Sequence, residues 1–253
     1  MKVLSIIGSP RKNGNCWAIA HRIEEKIGSK SDVDFEHIFL SDLNFNLCKG
    51  CGICIQKGED CCPLKDDRKY LEEKILNSDG VILISPVYAM NMSATMKNFL
   101  DRFSYTMHRP RFFNQYTMVV SVTGSVGLKE TLKSLSAIKY SGYNIVSSFG
   151  IVAKSALANP FVLDKNVSKK VATESEMFYK KILSKKPISP PIETIIQFKI
   201  QQQIFKKSKN DLPYDYEYFN KKGWFDKNKK YYVNNTNINQ INNMLASIAS
   251  LII

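Results

Sequence analysis

Residues 79–93 read DGVILISPVYAMNMS, and the first seven of them decide the architecture. The run 79–85 is apolar at almost every position and shows no polar alternation. A strand with one wet face alternates, so this run belongs in the middle of a parallel sheet covered on both faces. Ser85-Pro86-Val87-Tyr88 then breaks the strand, which presents the Tyr88 ring and the Asn91 amide at its carboxyl end.

Outward from that strand, apolar runs alternate with helical spacing in both directions. Upstream, residues 2–7 (KVLSII) form a strand that stops at Gly8-Ser9-Pro10. Residues 15–27 place apolar side chains at 16, 17, 19, 20, 23 and 27, the 3.6-residue spacing of an amphipathic helix. A strand at 33–40 and a helix at 68–76 follow. Downstream come a helix at 94–103, a strand at 116–122, a helix at 128–138 and a strand at 143–152. Repeated strand–helix units predict an α/β fold, a doubly wound five-stranded parallel sheet filling residues 1–158. Residues 159–253 read as a mostly helical C-terminal extension, with helices at 161–185, 193–207 and 239–253 and an irregular stretch at 210–240.

Composition narrows the function classes. No apolar run approaches the ~20 residues that span a bilayer, and the N-terminus lacks a signal peptide's longer apolar core. The expected location is the cytoplasm, where thiols stay reduced. The formal net charge is +13, of which +8 falls in residues 159–253, largely as lysine pairs. No nucleic-acid motif accompanies that charge, so it reads as a solvated helical face and neither nucleic acid nor membrane is an expected partner.

Three strand ends carry unusual loops, where such sheets bind ligands. GSPRKNGN (8–15) ends at a helix N-terminus, whose unpaired N–H groups suit a phosphate, with Ser9, Arg11 and Asn15 adding side-chain donors. It is neither a G-x-G-x-x-G fingerprint nor a P-loop. SPVYAMNMS (85–93) offers Tyr88 and Asn91 to a planar ring, and TGSVG (123–127) offers two glycines and two hydroxyls. A fourth loop, CKGCGICIQKGEDCC (48–62), holds five of the six cysteines. Reduced thiols spaced C-x2-C-x2-C, with Cys61 and Cys62 following, can curl round a cubane cluster, and Gly50, Gly52 and Gly58 let the loop bend. Zinc prefers two separated pairs, so it fits less well, and metal-free thiols remain a third reading. His21, His37 and His108 read as structural or surface residues, and Asp66-Asp67 as a helix N-cap before Arg68. No pattern of catalytic acid/base residues is present.

Together GSPRKNGNC, SPVYAMNMSATMKNFLDRF and the cysteine loop resemble the flavodoxin-like NADPH-dependent FMN reductase family, and within it the iron-sulfur flavoproteins. The resemblance spans about residues 1–155. It implies FMN, with Ser9, Arg11, Asn13, Gly14, Asn15 and Cys16 at the phosphate. Pro86, Val87, Tyr88 and Asn91 would meet the ring, with Thr123 and Gly124 at its other edge. Cys16 stands where the family more often has Thr or Ser, leaving its backbone N–H as the donor. The resemblance further implies a [4Fe-4S] cluster on Cys48, Cys51, Cys54 and Cys61, with Cys62 a close rival for the fourth place. It also implies a homodimer or higher oligomer. The activity so implied is an oxidoreductase moving electrons from NAD(P)H to a small acceptor such as a quinone or flavin. The rival readings are an electron carrier served by a ferredoxin-like donor and a thiol-based redox sensor.

Overall fold

The structure is a computed structural model that describes residues 1–29, 33–153, 164–234, 236 and 238–250. The strands are β1 (Lys2–Ile7), β2 (Asp34–Phe39), β3 (Gly80–Tyr88), β4 (Asn91–Met92), β5 (Tyr116–Thr123) and β6 (Asn144–Val152). The helices are α1 (Asn15–Gly28), α2 (Ile53–Gln56), α3 (Arg68–Leu76), α4 (Ala94–Arg102), α5 (Tyr105–His108) and α6 (Leu128–Leu135). Beyond the sheet follow α7 (Lys165–Ser184), α8 (Ile192–Lys207), α9 (Pro213–Lys221) and α10 (Gln240–Ala249).

Five strands lie parallel in the order β2-β1-β3-β5-β6, as a doubly wound sheet requires. A two-residue antiparallel strand, β4, hangs from the end of β3. The chain leaves β1 for β2 on one side and then crosses to β3 on the other. The β1/β3 boundary is therefore the switch point beyond whose carboxyl ends a ligand crevice forms.

The all-apolar β3 run serves two cores through the two-residue alternation of a strand. Ile82 and Ile84 face α1 and α7, while Val81 and Leu83 face α3 and α4. Helix α1 contributes Ile19, Ile23 and Ile27 to the first core, each at most 1% exposed.

Helix α7 completes that same layer. Val171, Phe178 and Ile182 pack with α1 and the sheet, and a Cβ on Gly80 would lie 2.6 Å from Ile182 and 2.8 Å from Phe178. The division placed at 158/159 thus passes between β6 and a helix that covers the sheet. Residues 161–163 of that expected helix, and 251–253 of the last one, lie outside the described residues. Helices α8, α9 and α10 gather a separate aromatic cluster, with Phe198, Phe205, Phe219, Trp224 and Tyr232 at its centre. Its attachment to the sheet domain includes Gln197 and Gln201, which both donate to the Met107 carbonyl (2.7 and 2.8 Å).

The expected irregular stretch at 210–240 contains α9. Its signal is Pro213 at the first helical position, followed by aromatics at helical spacing (Tyr214, Tyr218). Helix α6 stops at Leu135, three residues earlier than its spacing predicts, and tightens into a 3-10 turn over Ser136–Ser141. Among the described residues no helix is long and apolar enough to cross a membrane.

Candidate functional site

The carboxyl ends of β1, β3 and β5 are neighbours, so the three loops singled out in the sequence meet along one edge. The first loop is anchored tightly. Gly8 donates to the Ile84 carbonyl (2.8 Å) and accepts from Ser93 Oγ (2.6 Å) and Thr95 Oγ1 (3.2 Å). The N-terminus of α4 comes so close that a Cβ on Gly8 would lie 2.8 Å from Met96 Cβ. Ser9 is buried, and its hydroxyl accepts from the Arg11 amide (3.3 Å). Arg11 and Asn13 are exposed on the rim.

Helix α1 then starts without help. Gly14 occupies the N-cap, no side chain caps the first turn, and no acidic residue lies in it. Its first N–H groups and the positive end of its dipole stay available to an anion. Asn15 is buried at the start of the helix, and Cys16 turns into the core at 3% exposure. Burial pushes the Cys16 thiol up to about 12, with Arg11 pulling weakly against it. The thiol stays neutral in the core, so only the Cys16 amide belongs to the loop.

Pro86, Val87 and Tyr88 are the last residues of β3 rather than a loop, because the strand continues into a hairpin. Val87 pairs with Met92 and Tyr88 with Asn91, leaving Ala89 and Met90 as the two turn residues. Both have positive φ (46° and 66°), the sign a type I′ hairpin needs and one that normally selects Asn or Gly. Such unfavourable backbone concentrates at ligand-holding turns. The Asn91 Oδ1 is committed to the Met92 amide (2.8 Å), and the Thr123 hydroxyl to its own loop through the Val126 carbonyl (2.7 Å). Thr123 therefore shapes the third loop, while Gly124 is exposed at its tip.

The cysteine loop lies beside α4. Gly50, Gly52 and Gly58 all take positive φ, as the predicted bend requires. Cys48, Cys51, Cys54 and Cys62 line one cavity of about 190 Å³, together with Arg68 and Arg102. Cys61 is exposed and lies outside that lining. Cys54 shows the convergence electrostatically: burial pushes its thiol up, Cys62 adds to it, and Cys48 and Cys51 add further against the pull of Arg109. Among the described residues no three His, Cys, Asp or Glu side chains gather tightly enough for a single ion. A hollow ringed by four thiols suits a group larger than an ion.

Helix α4 joins the two places. Ser93 caps its start at the strand-end edge, and Asn98 and Arg102 hold the cysteine loop one and two turns further on. Asn98 Oδ1 accepts from the Cys48 amide (3.0 Å), and Arg102 donates to the Asn46 carbonyl (2.8 Å). Arg102 also grips Asp66 with both nitrogens (2.5 and 2.8 Å) and stands 3.9 Å from Cys62 Sγ. By helix rise the two ends of α4 are about 13 Å apart.

A family model described as NADPH-dependent FMN reductase matches residues 1–154. The chain belongs to that family. An iron-sulfur flavoprotein of Archaeoglobus fulgidus is 31% identical over 232 residues, covering 88% of this chain and 100% of the relative. An iron-sulfur flavoprotein of Clostridioides difficile is 29% identical over 193 residues, covering 76% and 83%. Among solved structures, an NADH:FMN oxidoreductase superposes with a TM-score of 0.52 at 20% identity, over 71% of this chain and 89% of that one. At that identity the likeness shows the fold, and the fold is the flavodoxin-like one expected.

The FMN reductase model ends at residue 154, and the polar network behind the cysteine loop extends past it. Arg109 is wholly buried and donates to the Cys54 carbonyl (2.6 Å), to Glu59 (3.0 Å) and to Asp215 on α9. Arg111 bridges Glu59 (2.6 Å) and Glu72 (2.8 Å), and Arg68 reaches Glu72 (2.7 Å) and Tyr105 (2.6 Å). Burial alone would lift the Glu59 carboxyl, but Arg111 and then Arg109 outweigh it and hold it below the usual range. Asp66 follows the same rule, with Arg102 overcoming its burial.

Sequence reasoning misses this network, since His108-Arg109-Pro110-Arg111 resembles an ordinary basic loop. The available signal is a set of three arginines at 102, 109 and 111, with too few adjacent acids to pair them locally. Asp67 does occupy the α3 N-cap, yet its carboxylate accepts from the Asn44 amide (2.8 Å) instead of capping the helix. His21 and His37 share Glu24 and are structural, and His108 ends α5 against Asp215 (2.7 Å).

Proposed function

We propose that this chain is an FMN-dependent oxidoreductase that takes electrons from NAD(P)H and passes them to a small acceptor such as a quinone or a flavin. The observation that carries the reading is the uncapped start of α1, set beside two further strand-end turns in a chain of the FMN reductase family. In this reading Ser9, Arg11, Asn13, Gly14, Asn15 and the Cys16 amide hold the phosphate. Pro86, Val87, Tyr88 and Asn91 present a flat surface to the ring, and the loop at Thr123 and Gly124 closes its far edge. Bound FMN would supply the hydride and single-electron chemistry, and no side chain needs to act as an acid or base. The protein's task is to orient that ring and exclude water from it.

The cysteine hollow fits a [4Fe-4S] cluster, which needs one outward thiolate per iron. Cys48, Cys51 and Cys54 supply three ligands in this reading, and Cys62 rather than Cys61 supplies the fourth, because Cys62 lines the hollow and touches the field at Cys54. Arg68 and Arg102 would offset part of the added negative charge. Anaerobic purification with assay of FMN, iron and sulfide per chain tests both cofactors, and rapid NAD(P)H oxidation on mixing tests the donor. A colourless protein that takes up no FMN would overturn the reading. Cys62→Ser is expected to lose most of its iron while Cys61→Ser keeps it; the reverse ranking returns the fourth place to Cys61.

One observation favours a second reading. Lys49, Lys57, Lys65 and Lys69 are all exposed around the cysteine loop, facing solvent together with Asp60. Such a rim steers an acidic partner and raises its association rate. An electron carrier reduced by a ferredoxin-like protein would show reduction by that donor, strongly salt-dependent, and none by NAD(P)H.

A further inference from the structure

The C-terminal extension also reaches the cysteine loop. Helix α9 packs on α2, within the loop itself, and its Tyr214 reaches Gly58 in the turn that follows. Asp215, wholly buried on α9, takes one nitrogen of Arg109, while the other nitrogen of that guanidinium donates to the Cys54 carbonyl (2.6 Å) and Glu59 (3.0 Å). The neighbouring Tyr214 ring lies 4.8 Å from the same guanidinium. It also presses against Gly58, where a Cβ would stand 2.5 Å from Tyr214 Cζ and φ is +94°. Tyr218, one turn on, backs Arg111, which holds Glu59 in turn (2.6 Å). Three contacts from one helix face therefore converge on residues 54–59, the span that separates the third thiol from the last two.

The two halves of the cysteine loop are held by different parts of the chain. Cys48 is tied to α4 through Asn98 (3.0 Å), inside the sheet domain. Cys54 is tied through Arg109 to α9, far along the sequence in the extension. A group bound by thiols from both halves needs their separation fixed, and supporting residues commonly set that separation by gripping the backbone of the ligands.

We propose that α9 is a clamp on the cysteine loop, with Asp215 acting through Arg109, and Tyr214 acting on Gly58, to set the position of Cys54 relative to Cys48. The inference rests on the cluster reading only for what the clamp retains; the clamp itself is a property of the chain. Asp215, Arg109 and Tyr214 are positioning residues, and α9 thereby controls how firmly the thiol-bound group is kept.

Two variants of the full-length chain, each removing one contact made by α9, test it. Asp215→Asn removes the charge at nearly constant size, and Tyr214→Ala removes the ring that presses on Gly58 while leaving the loop's own residues unchanged. In iron-free protein, timed alkylation by N-ethylmaleimide with mass spectrometry reads each thiol. Both variants are expected to speed modification of Cys54 by about tenfold, as local opening would, while Cys48 keeps its wild-type rate. FMN content should be unchanged. After anaerobic reconstitution, iron release to a chelator should quicken by a similar factor. Equal acceleration of Cys48 and Cys54 would mean that α9 only stabilises the fold, and no acceleration would mean that it does not grip the loop; either overturns the clamp. If the wild-type chain takes up no iron, the cluster reading falls and the alkylation ratio still decides the clamp. Should Asp215→Asn fail to fold, the alkylation ratio of Tyr214→Ala decides by itself.

Discussion

Gly14→Asp is expected to weaken FMN binding on the order of a hundredfold to a thousandfold while leaving the apoprotein as stable as before. The two effects separate because they have different physical origins. Gly14 sits at the α1 N-cap with φ −93° and ψ 178°, ordinary extended backbone that Asp adopts readily. The new Cβ would meet Arg11 Cβ at 3.1 Å and the Arg11 carbonyl at 3.3 Å, a close fit that the loop backbone at Arg11 relieves by giving a few tenths of an ångström. Asp is a good N-cap, and exchanging it with Gly there moves stability by only a few tenths of a kcal/mol. The same carboxylate, however, would take up the free amides and place a negative charge where the phosphate belongs. At about 4 Å and an effective dielectric near 20, each pair of like charges costs about 4 kcal/mol, close to three decades of affinity. Gly14→Asn supplies the neutral comparison: it occupies the amides without the charge and should lose about tenfold through the lost dipole and hydrogen bonds. Fluorescence titration of apoprotein with FMN measures all three chains. Wild-type affinity in Gly14→Asp would place the phosphate elsewhere and remove the main support for the flavin reading.

The strand-end edge could be read from the sequence because each of its parts is local. A buried strand announces itself by an unbroken apolar run, as at Val81–Ile84, and the loop after it is then placed by topology alone. The five parallel strands, the start of α1 at Asn15 and the bounds of α3 at Arg68–Leu76 all follow from such short-range patterns. Other details depend on partners distant in the chain. Residues 87 and 88 extend β3 because β4 pairs with them, Pro86 because it pairs with β5, and nothing in SPVYAMN signals a hairpin when its turn residues are Ala89 and Met90. Helix α7 reads as part of the extension because its amphipathic pattern does not say which surface it meets. Only Gly80, small enough to admit Phe178 and Ile182, reveals that the surface is the sheet. The choice between Cys61 and Cys62 likewise turns on a single residue's direction at a 3-10 turn, and spacing carries no such information. The arginine network is hidden for the same reason: a buried ion pair leaves no periodicity, and Arg109 and Asp215 are separated by a long stretch of chain.

The largest effect on stability is expected at that pair. Arg109→Ala leaves Asp215, wholly buried, facing His108 (2.7 Å) without its guanidinium, and strips the Cys54 carbonyl of its donor. Breaking a buried pair by removing one partner costs about 3–5 kcal/mol, out of about 5–15 kcal/mol for a typical domain. Glu59 suffers less, since Arg111 still holds it at 2.6 Å. Denaturant unfolding of Arg109→Ala should therefore show a large fall in midpoint, and a loss below about 1 kcal/mol would show that the pair is solvated in solution. The double variant Arg109→Met with Asp215→Leu is expected to regain most of that loss, because a buried pair replaced by apolar side chains of similar size is often neutral or better. Stability alone would then give no reason to keep the ions. The reason lies in the hydrogen bond that no apolar side chain can make, from Arg109 to the main chain of Cys54. The two introduced apolar side chains would fill the space and still leave that carbonyl without its charged donor. The double variant should therefore unfold like the wild type while its Cys54 reacts like that of Asp215→Asn. A double variant that is both stable and slow at Cys54 would mean that the packing of α9 holds the loop, with the ion pair serving only to fill the interior.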